Sequence, residues 1–181
     1  LNNKIRKIDL LKITTPHEEI FSVNMVGWGM VNDIGYQAEN MRWMGPMRYN
    51  VSSIIQIFKY FPRKANIEID GESFTGNFAF IMICNTIHVG NGMKMAPEAS
   101  LNDGKMDLII IENNFSRIKL LQMFPKLFNG SHINSELVKY KKAKSFKLYP
   151  EVNEKLNIDG DMGGLTPVTV SIEPEKLMLL N

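Results

Sequence analysis

The pair Asp70-Gly71 separates an alternating run, Ala65 to Asp70, from a long run, Phe74 to Ile87, whose centre FAFIMIC (Phe78 to Cys84) is wholly apolar. Asp-Gly accepts the positive φ angles of a two-residue turn, so the two runs are predicted to pair as an antiparallel hairpin. The apolar centre is far shorter than the roughly 20 residues a membrane helix needs. It reads instead as a buried strand, and MDLIIIE (Met106 to Glu112) reads as a second one.

Strand patterns dominate the rest. Ile5 to about Thr15 alternates, and EIFSVNMVGWGMV, from Glu19 to Val31, is a strand in which Gly27 and Gly29 mark a bulge or a close backbone approach. Asp33 can cap a helix running towards Arg42 and Met44, Gly45-Pro46 interrupts it, and a second helix follows over Val51 to Phe61. Further turns are expected at Gly90-Asn91-Gly92 and Asn102-Asp103-Gly104. Ser116 to Phe128 reads as an amphipathic helix with Ser116 as N-cap, Pro125 as a kink and Gly130 as stop. Four short strands complete the chain, over Leu137 to Leu148, Leu156 to Asp159, Val168 to Glu173 and Leu177 to Leu180. The expected fold is mostly β with a few α-helices, a single domain over residues 1–181 built as an antiparallel β-sandwich.

Charge and cysteine content narrow the function classes. Lys+Arg number 21 against 19 Asp+Glu, too even for the dense basic footprint of a nucleic-acid binder. The one cysteine, Cys84, cannot form an internal disulfide and has no evident base partner, so it reads as buried core in a reducing compartment. His17, His88 and His132 are too scattered for a metal cluster. No stretch reads as a signal peptide or membrane span. The chain opens on Leu1 inside a strand pattern, as the rear part of a longer polypeptide would.

The segment GWGMVNDIGYQAENMRWMGPMR, residues 27 to 48, resembles sphingosine kinases and the related ceramide kinases, in which a Trp-Gly strand leads through an Asp-bearing turn to an Arg-x-x-Gly-x-x-Arg helix. MAPEASLNDGKMDLIII (Met95 to Ile111), SRIKLLQMFPKLFNGSH (Ser116 to His132) and NIDGDM (Asn157 to Met162) follow in the order expected of the diacylglycerol/sphingosine lipid-kinase superfamily. The resemblance implies the rear, lipid-binding domain of a two-domain enzyme. Its N-terminal domain would carry a Gly-Gly-Asp-Gly phosphate loop and the catalytic base; this sequence has no such segment, so no catalytic residue is expected in it.

Residue by residue, the resemblance places Arg42 and Arg48 on the phosphates of ATP, where a break at Gly45-Pro46 would swing both forked guanidinium groups to one place. Without it they read as solvated arginines. Asp159 and Asp161 flank Gly160; strand alternation would point both carboxylates one way, Asp159 at the lipid headgroup and the short Asp161 near the nucleotide or its Mg²⁺. An Asp-Gly turn is the plain reading. Asp33 is the second headgroup candidate, or simply a helix cap. Where sphingosine kinases have a further aspartate that orients the sphingoid amine, this sequence has Gly35.

The resemblance also implies an acyl chain lying against Val31, Ile34, Tyr49, Val89, Met93, Ile109, Met123, Phe124, Leu127 and Leu137, with His132 at the channel end. Twelve methionines favour a pocket for a flexible chain over plain core. The implied reaction is transfer of the γ-phosphate of Mg-ATP to the primary hydroxyl of a long-chain sphingoid base. Ceramide or diacylglycerol as acceptor, or a non-enzymatic lipid-binding module, are the alternatives. The expected location is cytoplasmic and peripherally membrane-associated, with no nucleic-acid partner. The helix over 51–61, bearing Ile54, Ile55 and Phe58, packs on its own sheet or docks on a membrane or regulator.

Overall fold

The computed structural model describes residues 5–90 and 92–180; the opening residues 1–4, Asn91 of the predicted turn, and residue 181 lie outside them. In chain order the elements are β1 (Ile5–Thr14), β2 (Glu19–Ser22), β3 (Met25–Gly29), α1 (Met30–Glu39), a 3₁₀ segment (Arg42–Met47), α2 (Arg48–Lys59), β4 (Arg63–Ile69) and β5 (Glu72–Cys84). There follow β6 (Met106–Glu112), α3 (Arg117–Met123), β7 (Lys139–Ala143), β8 (Ser145–Pro150), β9 (Lys155–Ile158), β10 (Asp161–Leu165) and β11 (Val168–Leu180).

The predicted hairpin is β4–β5, closed by Asp70 and Gly71 at φ 48° and 92°. Its second strand belongs to two layers. Residues 72–78 of β5 pair with β4, which continues through β8, β11 and β1 to β2. Residues 80–84 pair instead with β3 on one side and β6 on the other, which extend the sheet through β9 to β10 and to β7. A register shift at Phe78/Phe80 marks the bulge where β5 bends from one layer into the other. Every pairing is antiparallel, so the chain folds as the expected sandwich.

The pleat then sorts the apolar residues. Trp28, Ile81, Ile83, Leu108 and Ile110 face inward and meet Leu11, Ile13, Ile67, Phe146 and Val170 from the opposite layer in the sandwich core. Phe80, Met82, Cys84, Ile109 and Ile111 face out of the sandwich, where helices cover them in a second core with Met30, Ile57, Leu120 and Met123. FAFIMIC is uniformly apolar because its two faces serve two cores. Cys84 is fully buried there, which pushes its thiol pKa up and leaves it unreactive, as its sequence context implied.

Gly27 and Gly29 are places of close approach, and what approaches is the chain itself. A Cβ on Gly27 would lie 2.8 Å from Val31 Cγ1 of α1, and one on Gly29 would lie 2.7 Å from the Ala79 carbonyl oxygen in the β5 bulge. Gly29, at φ 88°, turns the strand directly into α1. That corrects the expected helix start: α1 begins at Met30, so Asp33 sits in its first turn rather than capping it. It also corrects the expected strand over Glu19 to Val31, which splits into β2 and β3.

Other boundaries shift for local reasons. α2 begins at Arg48, three residues early, and buries Ser52, Ser53 and Ile57 while Ile54 and Phe58 stay exposed. The Ser116 hydroxyl caps α3 by accepting from the Lys119 N–H, and the chain tightens to 3₁₀ at Phe124–Leu127 around Pro125. Gly163 and Gly164 lie within β10, and the two expected strands at the end are one, β11.

Gly29→Ala forces a positive φ on a residue with a Cβ and drives that Cβ into backbone. The expected cost is on the order of 3 kcal/mol, a fall in Tm of roughly 6–12 °C by calorimetry; Gly71→Ala, with nothing within 4 Å, should cost clearly less.

Candidate functional site

Between the outer face of β3 and β5 and the helices α1, α2 and α3 lies a cavity of about 620 Å³. Its wall includes Met25, Met30, Met82, Met93, Met95 and Met123. Unbranched thioethers conform to a ligand of variable shape. At roughly 30 Å³ per water-sized group, this volume holds about 20 heavy atoms, the bulk of one long alkyl chain.

Most of the expected chain-contacting residues are on this wall: Val31 and Ile34 from α1, Tyr49 from α2, Val89 and Met93 from the bridged loop, and Met123, Phe124 and Leu127 from α3 and its 3₁₀ extension. Three are not. Ile109 pairs with Met82 one strand further along and is wholly enclosed in the core, and Leu137 is core as well. His132 is fully buried behind the wall, where its Nε2 lies 3.0 Å from the Met95 carbonyl oxygen. A carbonyl only accepts, so Nε2 carries the proton, and burial pushes the imidazole pKa down, keeping it neutral. His132 therefore supports the Met93–Met95 loop without lining the cavity.

Sequence reasoning missed Met30, Ile57, Phe80, Met82, Met95 and Leu120, all on the wall. Phe80 and Met82 were legible in principle, because alternation within FAFIMIC separates them from Ile81 and Ile83.

Polar groups gather where α1 meets β9. Asn24, Gly35, Asn157, Asp159 and Gly160 share the cavity wall. The Asp159 carboxylate is already engaged: Oδ1 accepts from Ser22 Oγ (2.6 Å), Met25 N (2.8 Å) and Asn24 N (3.0 Å), and Oδ2 from Val23 N (3.0 Å). This grip bends the chain between β2 and β3. Asp159, at φ 52°, and Gly160, at φ 103°, form the turn of the β9–β10 hairpin, so the expected alternation does not hold and Asp161 lies exposed opposite Ile158. Asp33 is not on this wall. It receives both Nη atoms of Arg63, at 2.8 and 3.0 Å, beside Glu154.

Arg42 and Arg48 do converge, across a Gly45 held at φ 58°, and the group they converge on is Glu39. Arg42 Nε binds Glu39 Oε2 at 2.7 Å, and Arg48 Nη2 lies 3.6 Å from Oε1. Arg48 also stacks 4.9 Å above the Tyr49 ring and lines the cavity, and its Nε is buried without a partner. Two forks closing on one carboxylate, with a donor to spare, suit the oxygens of a phosphate. Among the described residues no three His, Cys, Asp or Glu side chains gather to hold a metal ion. A Mg²⁺ arriving with a nucleotide keeps water and phosphate ligands and needs only one or two carboxylates, a supplement that exposed Asp161 suits.

Residues 24–181 match the family described as the YegS C-terminal NAD kinase beta sandwich-like domain. The chain is 27% identical to a diacylglycerol kinase of Bacillus subtilis over 92% of its length and 54% of that protein's. It is 30% identical to a diacylglycerol kinase of Mycobacterium tuberculosis (83% and 48%) and 25% identical to sphingosine kinase 1 of Arabidopsis thaliana (83% and 39%). The chain thus spans about half the length, or less, of these curated relatives. A crystal structure of a diacylglycerol kinase from Bacillus anthracis shares the fold, with TM-score 0.63 and 15% identity over 97% of this chain and 53% of that one.

Asp159→Asn would place an amide N–H against the Val23 N–H and weaken three charge-assisted bonds. The expected loss is about 2–3 kcal/mol of stability, read by urea unfolding, whereas Asp161→Asn, at an exposed site, should fall within about 0.5 kcal/mol of the parent.

Proposed function

Since this chain belongs to the YegS C-terminal NAD kinase beta sandwich-like domain family, within the superfamily of diacylglycerol and sphingosine kinase-like lipid kinases, we propose that it is the lipid-binding half of a lipid kinase. The observation that carries this reading is a methionine-walled cavity with room for the bulk of one long chain, lined by Arg48, which meets Arg42 on Glu39. In this reading an alkyl chain occupies the cavity and its primary hydroxyl sits near Gly160. The hydroxyl oxygen bonds to the γ-phosphorus of ATP as the β–γ bridging oxygen leaves with ADP, and the proton passes to a base in an N-terminal nucleotide-binding domain. Arg48 and Arg42 hold phosphate oxygens in place of Glu39, and Asp161 would help hold a Mg²⁺, which would neutralise phosphate charge. Positioning and charge neutralisation supply the rate.

The acceptor was expected to be a sphingoid base held through Asp33 and Asp159. A specific observation favours an uncharged acceptor instead. Asp33 is paired with Arg63, and Asp159 already accepts four hydrogen bonds, three from backbone N–H groups and one from Ser22 Oγ, so neither carboxylate stands ready for an ammonium. Ceramide and diacylglycerol fit that requirement. A lipid in transit comes from a bilayer, and the exposed Trp43, Ile54, Phe58 and Phe61 would meet a peripheral membrane surface. No helix among the described residues is long and apolar enough to cross one.

The 181-residue chain is expected to bind a long-chain lipid one-to-one by native mass spectrometry, and to transfer no phosphate by itself. Met93→Trp, filling the cavity from its loop, should weaken binding at least tenfold while far-UV circular dichroism stays unchanged. Unaltered binding would move the lipid to another surface, and lipid binding without kinase activity in the full-length protein would favour a carrier module. In that full-length protein, Arg48→Lys loses the fork and should lower kcat/KM for ATP by roughly 1–3 kcal/mol.

A further inference from the structure

Gly35 lies in the middle of α1, where glycine weakens a helix relative to alanine and no positive φ calls for it. The reason it stands there is across the cavity wall. A Cβ on Gly35 would lie 2.8 Å from Asn157 Nδ2. The missing side chain leaves room for that amide, and both residues line the cavity.

The amide is held in one orientation. Asn157 Oδ1 accepts the N–H of Gly160 at 3.1 Å, which sets Nδ2 on the side of α1 and the cavity. Asn157 is 4% exposed, and its Nδ2 makes no hydrogen bond among the described residues. A nearly buried amide group thus presents free N–H donors to the polar end of the cavity, beside the filled carboxylate of Asp159.

Resting on the lipid-kinase reading above, we infer that the Gly35–Asn157 pair selects the acceptor: Asn157 Nδ2 donates to a carbonyl oxygen near the primary hydroxyl of an uncharged acyl lipid and disfavours a free amine. A carbonyl accepts the N–H directly. An ammonium carries donors only, so it would face donors across the contact; Asp33 is off this wall and paired with Arg63, and the neighbouring Asp159 already accepts four hydrogen bonds. The shared chemistry is an acyl carbonyl, which an acylglycerol offers as an ester and a ceramide as an amide. The cavity has room for the bulk of one alkyl chain.

The test compares binding of monoacylglycerol, diacylglycerol, ceramide and sphingosine to the 181-residue chain, by displacement of a fluorescent long-chain probe. The parent is expected to bind at least one carbonyl-bearing lipid tenfold or more tighter than sphingosine, and ester against amide lipids of equal chain length identify the source of the carbonyl. Asn157→Asp keeps the acceptor for Gly160 and replaces the donors with an anion; it should weaken the carbonyl lipids about tenfold and strengthen sphingosine. Gly35→Ala pushes the amide aside while favouring the helix, so it should weaken carbonyl lipids without a gain for sphingosine, and it keeps the inference testable should Asn157→Asp not fold. A parent that prefers sphingosine, or variants that shift all four lipids equally, would overturn the selector and leave the cavity reading intact. A parent that displaces the probe with none of the four would overturn the lipid-binding reading itself.

Discussion

One strand has to satisfy two sheets and two cores. β5 runs through the molecule as the partner of β4 at its start and of β3 and β6 at its end, and the bulge at Phe78/Phe80 is where it changes layer. Because its pleat sends Ile81 and Ile83 into the sandwich and Phe80 and Met82 out of it, the fold has an apolar outer face that water cannot be allowed to wet. The helices α1 to α3 cover that face; Gly27 lets the first of them approach closely, and Gly29 turns the chain into it. They cover it incompletely, and the gap is the cavity.

The cavity is chemically two-ended. Methionines and aromatic side chains supply an adaptable apolar wall, while Asn24, Asn157 and the β9–β10 turn supply the polar end beside Gly35 of α1. The charged groups in and around it are mostly engaged within the protein: Asp159 by backbone N–H groups and Ser22, Arg48 with Arg42 by Glu39, and, off the wall, Asp33 by Arg63. Unengaged hydrogen-bonding capacity remains at Asn157 Nδ2 and Arg48 Nε, a neutral donor and a cationic one. That pairing suits a carbonyl and a phosphate better than an ammonium.

Local chemistry made much of this legible in the sequence. The Asp70-Gly71 hairpin, the buried strand MDLIIIE, the Ser116 cap and the break at Gly45-Pro46 all follow from turn and capping rules that act over a few residues. Tertiary partners decided the rest. Nothing local told that Asp159 would reach back to Val23 and split a strand, or that Arg63 would take Asp33 from the headgroup. The convergence of Arg42 and Arg48 was readable, but their meeting on Glu39 was not, since it depends on how the chain returns after Gly45. Reading FAFIMIC as one buried block hid Phe80 and Met82 from the site, although period-two alternation already separated them.

The central claim, that a single long chain lies inside the methionine-walled cavity, is tested most directly by photolabelling the 181-residue chain with a long-chain monoacylglycerol bearing a diazirine near the end of its alkyl tail. The account predicts covalent adducts on peptides that contain Met82, Met93 or Met123, lost when unlabelled lipid is added in excess. Adducts confined to the exposed Trp43, Phe58 and Phe61, with the cavity peptides unmodified, would contradict it.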